Sequence, residues 1–251
     1  MSKQQRYEPR TYRRESGAED LESFTVINGE TNLHIQVGTT TPDTLAECKR
    51  IATQAVQQAR QEIQQECLLN PVFKTSLTPI SVPKLKSFLV QTMVEASNRA
   101  EVGPMATVAG AIAQYVGRQL RELVGDVIIE NGGDIFIYST SERITGIWAG
   151  KSPLSGKFGV VIPANQEYGV CTSSATVGPS YSAGKCDAAL IVAEDAAFAD
   201  AMASALGNRV IKPEQAQSAV EWALSVTGVL HAVVIIGDTM AAGGTLDMTR
   251  L

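Results

Sequence analysis

The stretch Val127–Tyr138 reads VIIENGGDIFIY. Two runs of apolar, β-branched and aromatic residues flank a polar hinge of Glu130, Asn131, Gly132, Gly133 and Asp134. Val, Ile, Phe and Tyr suit a buried pleated surface, so each run predicts a short strand. The paired glycines carry no Cβ, so the backbone there can turn sharply or approach another group closely. Two readings stay open. A buried strand that breaks at Gly-Gly between two carboxylates presents N–H groups beside charge, which suits a ligand. The same residues are also ordinary hairpin formers, since Asn and Asp favour turns.

Upstream of this hairpin, Phe24–Ile27 and Asn32–Val37 alternate around Asn28-Gly29-Glu30-Thr31 and predict another. His34 lies in its second strand and reads as an ordinary strand residue. Thr41 as cap, Pro42 in the first turn and Asp43 at the positive end of the dipole start a helix. Leu45, Cys48, Ala52, Ala55, Ala59, Ile63 and Cys67 give it one apolar face to about Leu69, where Asn70-Pro71 stops it. Pro71, Pro79 and Pro83 mark the next stretch as loop, within which Leu77–Ile80 also suits an edge strand. Leu85–Asn98 predicts a helix with Leu85, Phe88, Leu89, Met93 and Ala96 inward. Val102-Gly103-Pro104 turns into a helix over Met105–Leu123. Its small residues, among them Ala109, Gly110, Ala113 and Gly117, point to close packing, since Gly otherwise costs helix stability.

Downstream, strands are expected at Ile144–Ala149, Phe158–Ile162, Tyr168–Thr172 and Ala188–Ala193. A Ser-, Gly- and Thr-rich loop covers Thr172–Lys185. Helices follow over Asp195–Leu206 and from Pro213 to about Val226. The strand Val229–Ile236, with His231 as a structural residue, and a hairpin around Gly237-Asp238 complete the chain. Hairpins and helix pairs, rather than regular βαβ units, favour an α+β fold. An echo between Val127–Gly132 and Val233–Asp238 hints at a duplicated unit.

The 251 residues are 44% hydrophobic and 19% charged, ordinary for a globular chain with ample core. The net charge of −5 speaks against a general nucleic-acid binder. The first 14 residues carry Lys3, Arg6, Arg10, Arg13 and Arg14 against Glu8, and residues 1–20 read as a flexible basic arm ahead of one domain over 21–251. No apolar h-region follows the arm, and no run reaches the ~18 apolar residues of a membrane span, so a cytoplasmic location is expected. Cys48, Cys67, Cys171 and Cys186 show neither CxxC nor zinc-ligand spacing. A Cys171–Cys186 pairing is conceivable because both flank one loop.

Asp195–Leu206 reads DAAFADAMASAL. Past its first turn only Asp200 and Ser204 are polar, four residues apart and therefore on one face. A helix this apolar is expected to be buried, and a buried carboxylate needs a partner. A hard cation such as Mg²⁺, a basic side chain, or the N–H groups of a Gly-rich turn would each serve.

Four blocks in this order carry a resemblance: Val102–Val116 (VGPMATVAGAIAQYV), Glu130–Ile135 (ENGGDI), Cys171–Ser174 (CTSS) and Ala199–Leu206 (ADAMASAL). The chain resembles the ApbE-like superfamily from about Asn98 to Leu246, most closely its short branch with GPM-x-x-VAGAIA, ENGGDI and CTSS motifs. The superfamily contains flavin transferases that move FMN from FAD onto a protein Thr. The resemblance implies a T-fold-like α+β domain. It implies a pocket for FAD or FMN bordered by Gly103, Pro104 and Gly110, by Asn131, Gly132, Gly133 and Asp134 on the NxGGD block, and by Thr172, Ser173 and Ser174. It places Asp200 and Ser204 where the transferases hold Mg²⁺ with Asp and Thr.

Two departures stand out. The transferases' Lys-Gly pair is Ala109-Gly110 here. Their H-x-x-D-P-x-x-G loop corresponds to Gly178–Asp187, which holds no His. The branch is associated with homocysteine formation from aspartate semialdehyde, so the leading expectation is a metal- and nucleotide-binding component of sulfur assimilation, with protein partners in that process. The alternatives are a working FAD-dependent FMN transferase and a non-catalytic scaffold or partner-binding module. By analogy with other T-folds, a homo-oligomer is expected.

Overall fold

In chain order the strands are Leu21–Asn28 (β1), Thr31–Gly38 (β2), Val127–Asn131 (β3), Asp134–Tyr138 (β4), Arg143–Gly146 (β5), Phe158–Ile162 (β6), Glu167–Ser173 (β7), Ala188–Ala193 (β8), Val229–Ile236 (β9), Thr239–Gly244 (β10) and Met248–Arg250 (β11). The helices are Pro42–Leu69 (α1), Pro71–Thr75 (α2), Phe88–Arg99 (α3), Val108–Arg121 (α4), Ala196–Asn208 (α5) and Ala216–Ser225 (α6). The computed structural model describes residues 20–38, 40–82, 85–175 and 184–251. Residues 1–19 of the basic arm, Pro83 and most of the Gly178–Asp187 loop lie outside the described residues.

Eight strands form one antiparallel sheet in the order β1-β2-β3-β4-β7-β8-β9-β10, and β11-β6-β5 form a second. The large sheet thus runs hairpin, helices, hairpin twice over, its two halves joined by the β4–β7 pairing. The helices cover one face and the small sheet covers part of the other. β8 shows why. Its Ala189, Ile191 and Ala193 meet the helices, while Ala188, Leu190 and Val192 meet the core beneath the small sheet. A strand buried on both faces needs an unbroken apolar run. At the edge, β1 alternates instead: Val26 is buried, and Ser23, Thr25 and Ile27 are exposed. This mixed, antiparallel architecture is the expected α+β class. No described helix is long and apolar enough to cross a membrane.

The hairpin Val127–Tyr138 pairs as its residues predict, Asn131 opposite Asp134, with Gly132 and Gly133 both at positive φ (+75° and +112°). Side chains rarely adopt those angles, so the turn needs glycine there. Thr41 caps α1 by accepting the N–H of Thr44, and Cys48, Ala52, Ala55, Ala59 and Ile63 are buried along its inner face.

Other expectations fail for local reasons. The stretch after Asn70 is not all loop: Pro71 opens α2, where a missing N–H costs nothing, and Phe73 anchors it in the core. Leu77–Ile80 forms no strand. Ser87 caps α3 by accepting the N–H of Val90, so the helix starts at Phe88 and leaves that ring outside rather than inward. The helix expected from Met105 opens as a 3₁₀ turn over Pro104–Thr107, and α4 proper begins at Val108. The short strand β11 carried no signal of its own.

Candidate functional site

Four elements meet at the junction between the halves of the large sheet: the start of α4, the end of the β3–β4 hairpin, β7, and the middle of α5. Asp134 pairs with Cys171 across β4 and β7. Phe136 and Cys171 belong to the helix-side core, and Asp134, two residues before Phe136, shares that face. Asp200 reaches the same place from α5 and accepts the N–H of Gly110 at 2.9 Å. Of the partners open to Asp200, the structure supplies backbone N–H groups, here at the N-terminus of α4. The α4 capping residue, Thr107, makes no side-chain cap, so Asp200 supplies one from another helix.

The reverse cap is made by Gln114. Its Oε1 accepts the N–H of Ala196 at 2.5 Å, and its Nε2 donates to Asp195 at 2.8 Å. Asp195 also accepts the N–H of Phe198. Each helix therefore holds the other's N-terminus. A Cβ on Gly110 would sit 2.2 Å from the Ala196 carbonyl oxygen, so the crossing requires glycine. The small residues of α4 serve this approach.

Burial dominates the electrostatics. It pushes Asp200 up to about 7, against the opposing pull of the Gly110 and Ala109 N–H groups. Asp134 is raised well above the usual carboxylate range, first by burial and next by the charge of Asp200. The Cys171 thiol, which donates to the Ala196 carbonyl, is likewise raised by burial and then by both carboxylates. Two acids here repel each other when both ionise, so the pair favours a shared proton or a cation. Among the described residues, no group of three or more His, Cys, Asp or Glu side chains forms a metal cage.

The remaining expected site residues fall as follows. Asn131 donates its amide to the Ala109 carbonyl at 3.1 Å. The N–H groups of Gly132 and Gly133 are not open: Glu130 Oε1 accepts both, at 2.7 and 3.2 Å. Thr172 gives its N–H to the Gly133 carbonyl, and Thr172, Ser173 and Ser174 are half-buried along the end of β7. Ser204 is half-buried one turn beyond Asp200 on α5. Gly103 and Pro104 are buried, and a Cβ on Gly103 would meet the Ser76 carbonyl at 1.8 Å, so their visible role is packing. Cys171 and Cys186 are free thiols, not a disulfide, and burial pushes Cys186 up to about 11. The facing of Asp134 and Asp200 and the Gln114 cap depend on strand register and helix crossing, which leave no local mark in sequence, and the Glu130 closure depends on the torsions of its own turn.

The sequence model of the family described as AbpE bacteria matches residues 14–235. A UPF0280 protein of Methanocella arvoryzae is 37% identical over 197 residues, spanning 78% of this chain and 80% of the relative. Another, from Methanosphaerula palustris, is 39% identical over 218 residues, spanning 85% and 90%. The fold is similar to that of the ApbE protein of Thermotoga maritima, with a TM-score of 0.53 at 14% identity, covering 88% of this chain and 96% of that one. It is also similar to the flavin transferase ApbE of Vibrio cholerae, with a TM-score of 0.51 at 11% identity, covering 89% and 96%. The chain belongs to the AbpE bacteria family and has the ApbE-like fold.

Proposed function

We propose that this family member binds a flavin dinucleotide beside the Asp134–Asp200 pair and acts as an FAD-dependent FMN transferase. The observation that carries the reading is the facing of two carboxylates, Asp200 buried and Asp134 half-buried, beside the N-terminus of α4, on a fold similar to that of a flavin transferase. The donors present are oxygens: the carboxylates of Asp134 and Asp200 and the hydroxyl of Ser204. That set fits Mg²⁺, which takes few protein ligands and keeps several waters. When bound, Mg²⁺ would supply positive charge to the pyrophosphate oxygens.

Transfer joins an acceptor hydroxyl oxygen to the FMN phosphorus and releases AMP, with the hydroxyl proton passing to a base. On this reading Asp200 is oriented by the Gly110 N–H, Asn131 fixes the Ala109 carbonyl, and Thr172, Ser173 and Ser174 border the ligand. Glu130 stands in the place where the turn's N–H groups would otherwise meet an anion, and it must swing aside for them to do so.

Homocysteine formation with sulfur-assimilation partners is implied only by the resemblance. Cys171 and Cys186 are buried thiols raised away from the thiolate, so nothing in the site's geometry favours that role.

The test is calorimetric titration of the protein with FAD, with and without Mg²⁺, repeated on Asp200→Asn, followed by an assay of flavin fluorescence on a Thr-containing acceptor. Magnesium-dependent binding, lost in the variant, and a flavinylated acceptor are expected. No binding of FAD under either condition would overturn the reading, and binding without transfer would remove the transferase half of it.

A further inference from the structure

Gln114 lies in the middle of α4 and is 3% exposed. Each of its hydrogen bonds among the described residues ends on the cap or the first turn of α5. Its Oε1 accepts the N–H of Ala196 and, at 3.4 Å, that of Ala197, while its Nε2 donates to Asp195 Oδ2. A carboxamide suits this place because one uncharged planar group both accepts and donates. Capping alone does not call for it, since Asp195 Oδ1 already accepts the N–H of Phe198. What Gln114 adds is a bond between helices.

That bond acts on Ala196, which is fully buried and held from two other directions as well. From β7, the Cys171 thiol donates to its carbonyl at 3.4 Å, and a Cβ on Gly169 would stand 2.3 Å from its Cα. From the start of α4, a Cβ on Gly110 would meet its carbonyl oxygen, and the same Cβ would stand 2.9 Å from the Asp200 Cβ. Asp200 follows Ala196 by four residues, on the same helix face and about 6 Å along the axis. Both residues thus bear on one glycine, and whatever seats Ala196 also seats Asp200.

We propose that Gln114 is the positioning residue of the acid pair: by seating Ala196 it sets where Asp200 stands against Gly110 and Asp134. On the flavin reading above, it thereby sets how tightly the site takes FAD in the presence of Mg²⁺. Gln114 touches no ligand and acts through Asp200. The lever is short and the tolerance small, since a misplacement of about 1 Å costs a positioned site on the order of a hundredfold.

The contact can be reversed without changing net charge. Gln114→Glu alone keeps an acceptor for Ala196 but sets two carboxylates against each other. Adding Asp195→Asn supplies the missing donor and keeps the cap on Phe198. Gln114→Leu removes the contact outright. Each folded variant, checked by far-UV circular dichroism, is titrated with FAD in Mg²⁺, and its amide exchange is followed by NMR. Both single variants should weaken FAD binding about tenfold or more. They should also speed exchange of the Gly110 amide, which donates to Asp200, about tenfold or more relative to the β8–β9 ladder. The reversed pair should bring both quantities back to within about threefold of the wild type. A merely structural glutamine would speed the ladder amides as much as Gly110. That result, undiminished FAD binding or unchanged Gly110 exchange in both single variants, or no recovery in the reversed pair would each overturn the proposal. A wild type that binds no FAD would sink the flavin reading alone, because Gly110 exchange needs no ligand and still decides what Gln114 does.

Discussion

Replacing Asp200 by Asn should stabilise the ligand-free protein at neutral and alkaline pH. The cause is burial, which raises this carboxyl from 3.8 to about 7. Between those values the folded chain keeps a proton that the unfolded chain has released. Stability must therefore fall as pH rises from about 4 to about 7, and the full loss is present above that. About three pH units at 1.36 kcal/mol each set a ceiling of about 4 kcal/mol. Asn has no proton to lose, and its amide oxygen still accepts the Gly110 N–H. It also frees Asp134 from a neighbouring charge. A gain of about 2–4 kcal/mol at pH 8 is expected, or roughly 5–15 °C for a chain of this size. Urea unfolding of both proteins from pH 4 to pH 8 checks it, because titrating groups other than the neighbouring Asp134 cancel in the difference. The gain should vanish near pH 4. A variant no more stable at pH 8, or a difference that does not change with pH, would refute the reasoning.

Gly110→Ala drives a methyl into the Ala196 carbonyl and should cost about 2–4 kcal/mol, measurable as an earlier urea midpoint with the same slope. His231 is 3% exposed, and neither ring nitrogen has a hydrogen-bond partner among the described residues. Burial lowers its pKa, so the unfolded chain takes up a proton below about 6.5 that the folded one resists, and stability is lost as pH falls through that range. His231→Leu should therefore raise stability by about 1–3 kcal/mol at pH 5 and by less at pH 8, and the opposite ranking in thermal melts would sink the assignment. Cys171 and Cys186 should resist a thiol reagent in the native protein and react on unfolding; rapid native labelling of either, located by mass spectrometry, would show an accessible thiolate that the structure does not contain.

Much of the framework was legible because period and capping are local properties. VIIENGGDIFIY pairs as a hairpin because its alternation and paired glycines leave little else, and Thr41-Pro42-Asp43 starts α1 where a cap, a proline and an acid coincide. The continuous run in β8 correctly marked a strand, but which layers cover it is a matter of the whole sheet. Phe88 was misjudged because the Ser87 cap, rather than helical periodicity, sets where α3 begins. At the site, the apolar surroundings of Asp200 announced a buried carboxylate. Its partner could not be chosen from sequence, since Gly110 reaches it only through the crossing of α4 and α5. Glu130 was visible as a hinge residue, yet its return onto its own turn depends on torsions that no spacing encodes.

The β4–β7 junction has a mechanical consequence. Asp134, Ala109 and Gly110 come from one side of it, and Cys171, Asp200 and Ser204 from the other. Neither half of the sheet owns the site, so the site exists only while the seam is closed. Two negative charges facing each other across a seam act as a spring, and a proton or cation between them acts as a clasp. Ligand-free protein at high pH should thus exchange amide hydrogens faster across Ile135–Val170 and Ile137–Tyr168 than across the β8–β9 ladder, and neutralising the pair should close that gap. Equal rates in both places at every pH would mean that the halves are welded. Otherwise, what occupies the carboxylates also decides how firmly the two halves of the molecule hold together.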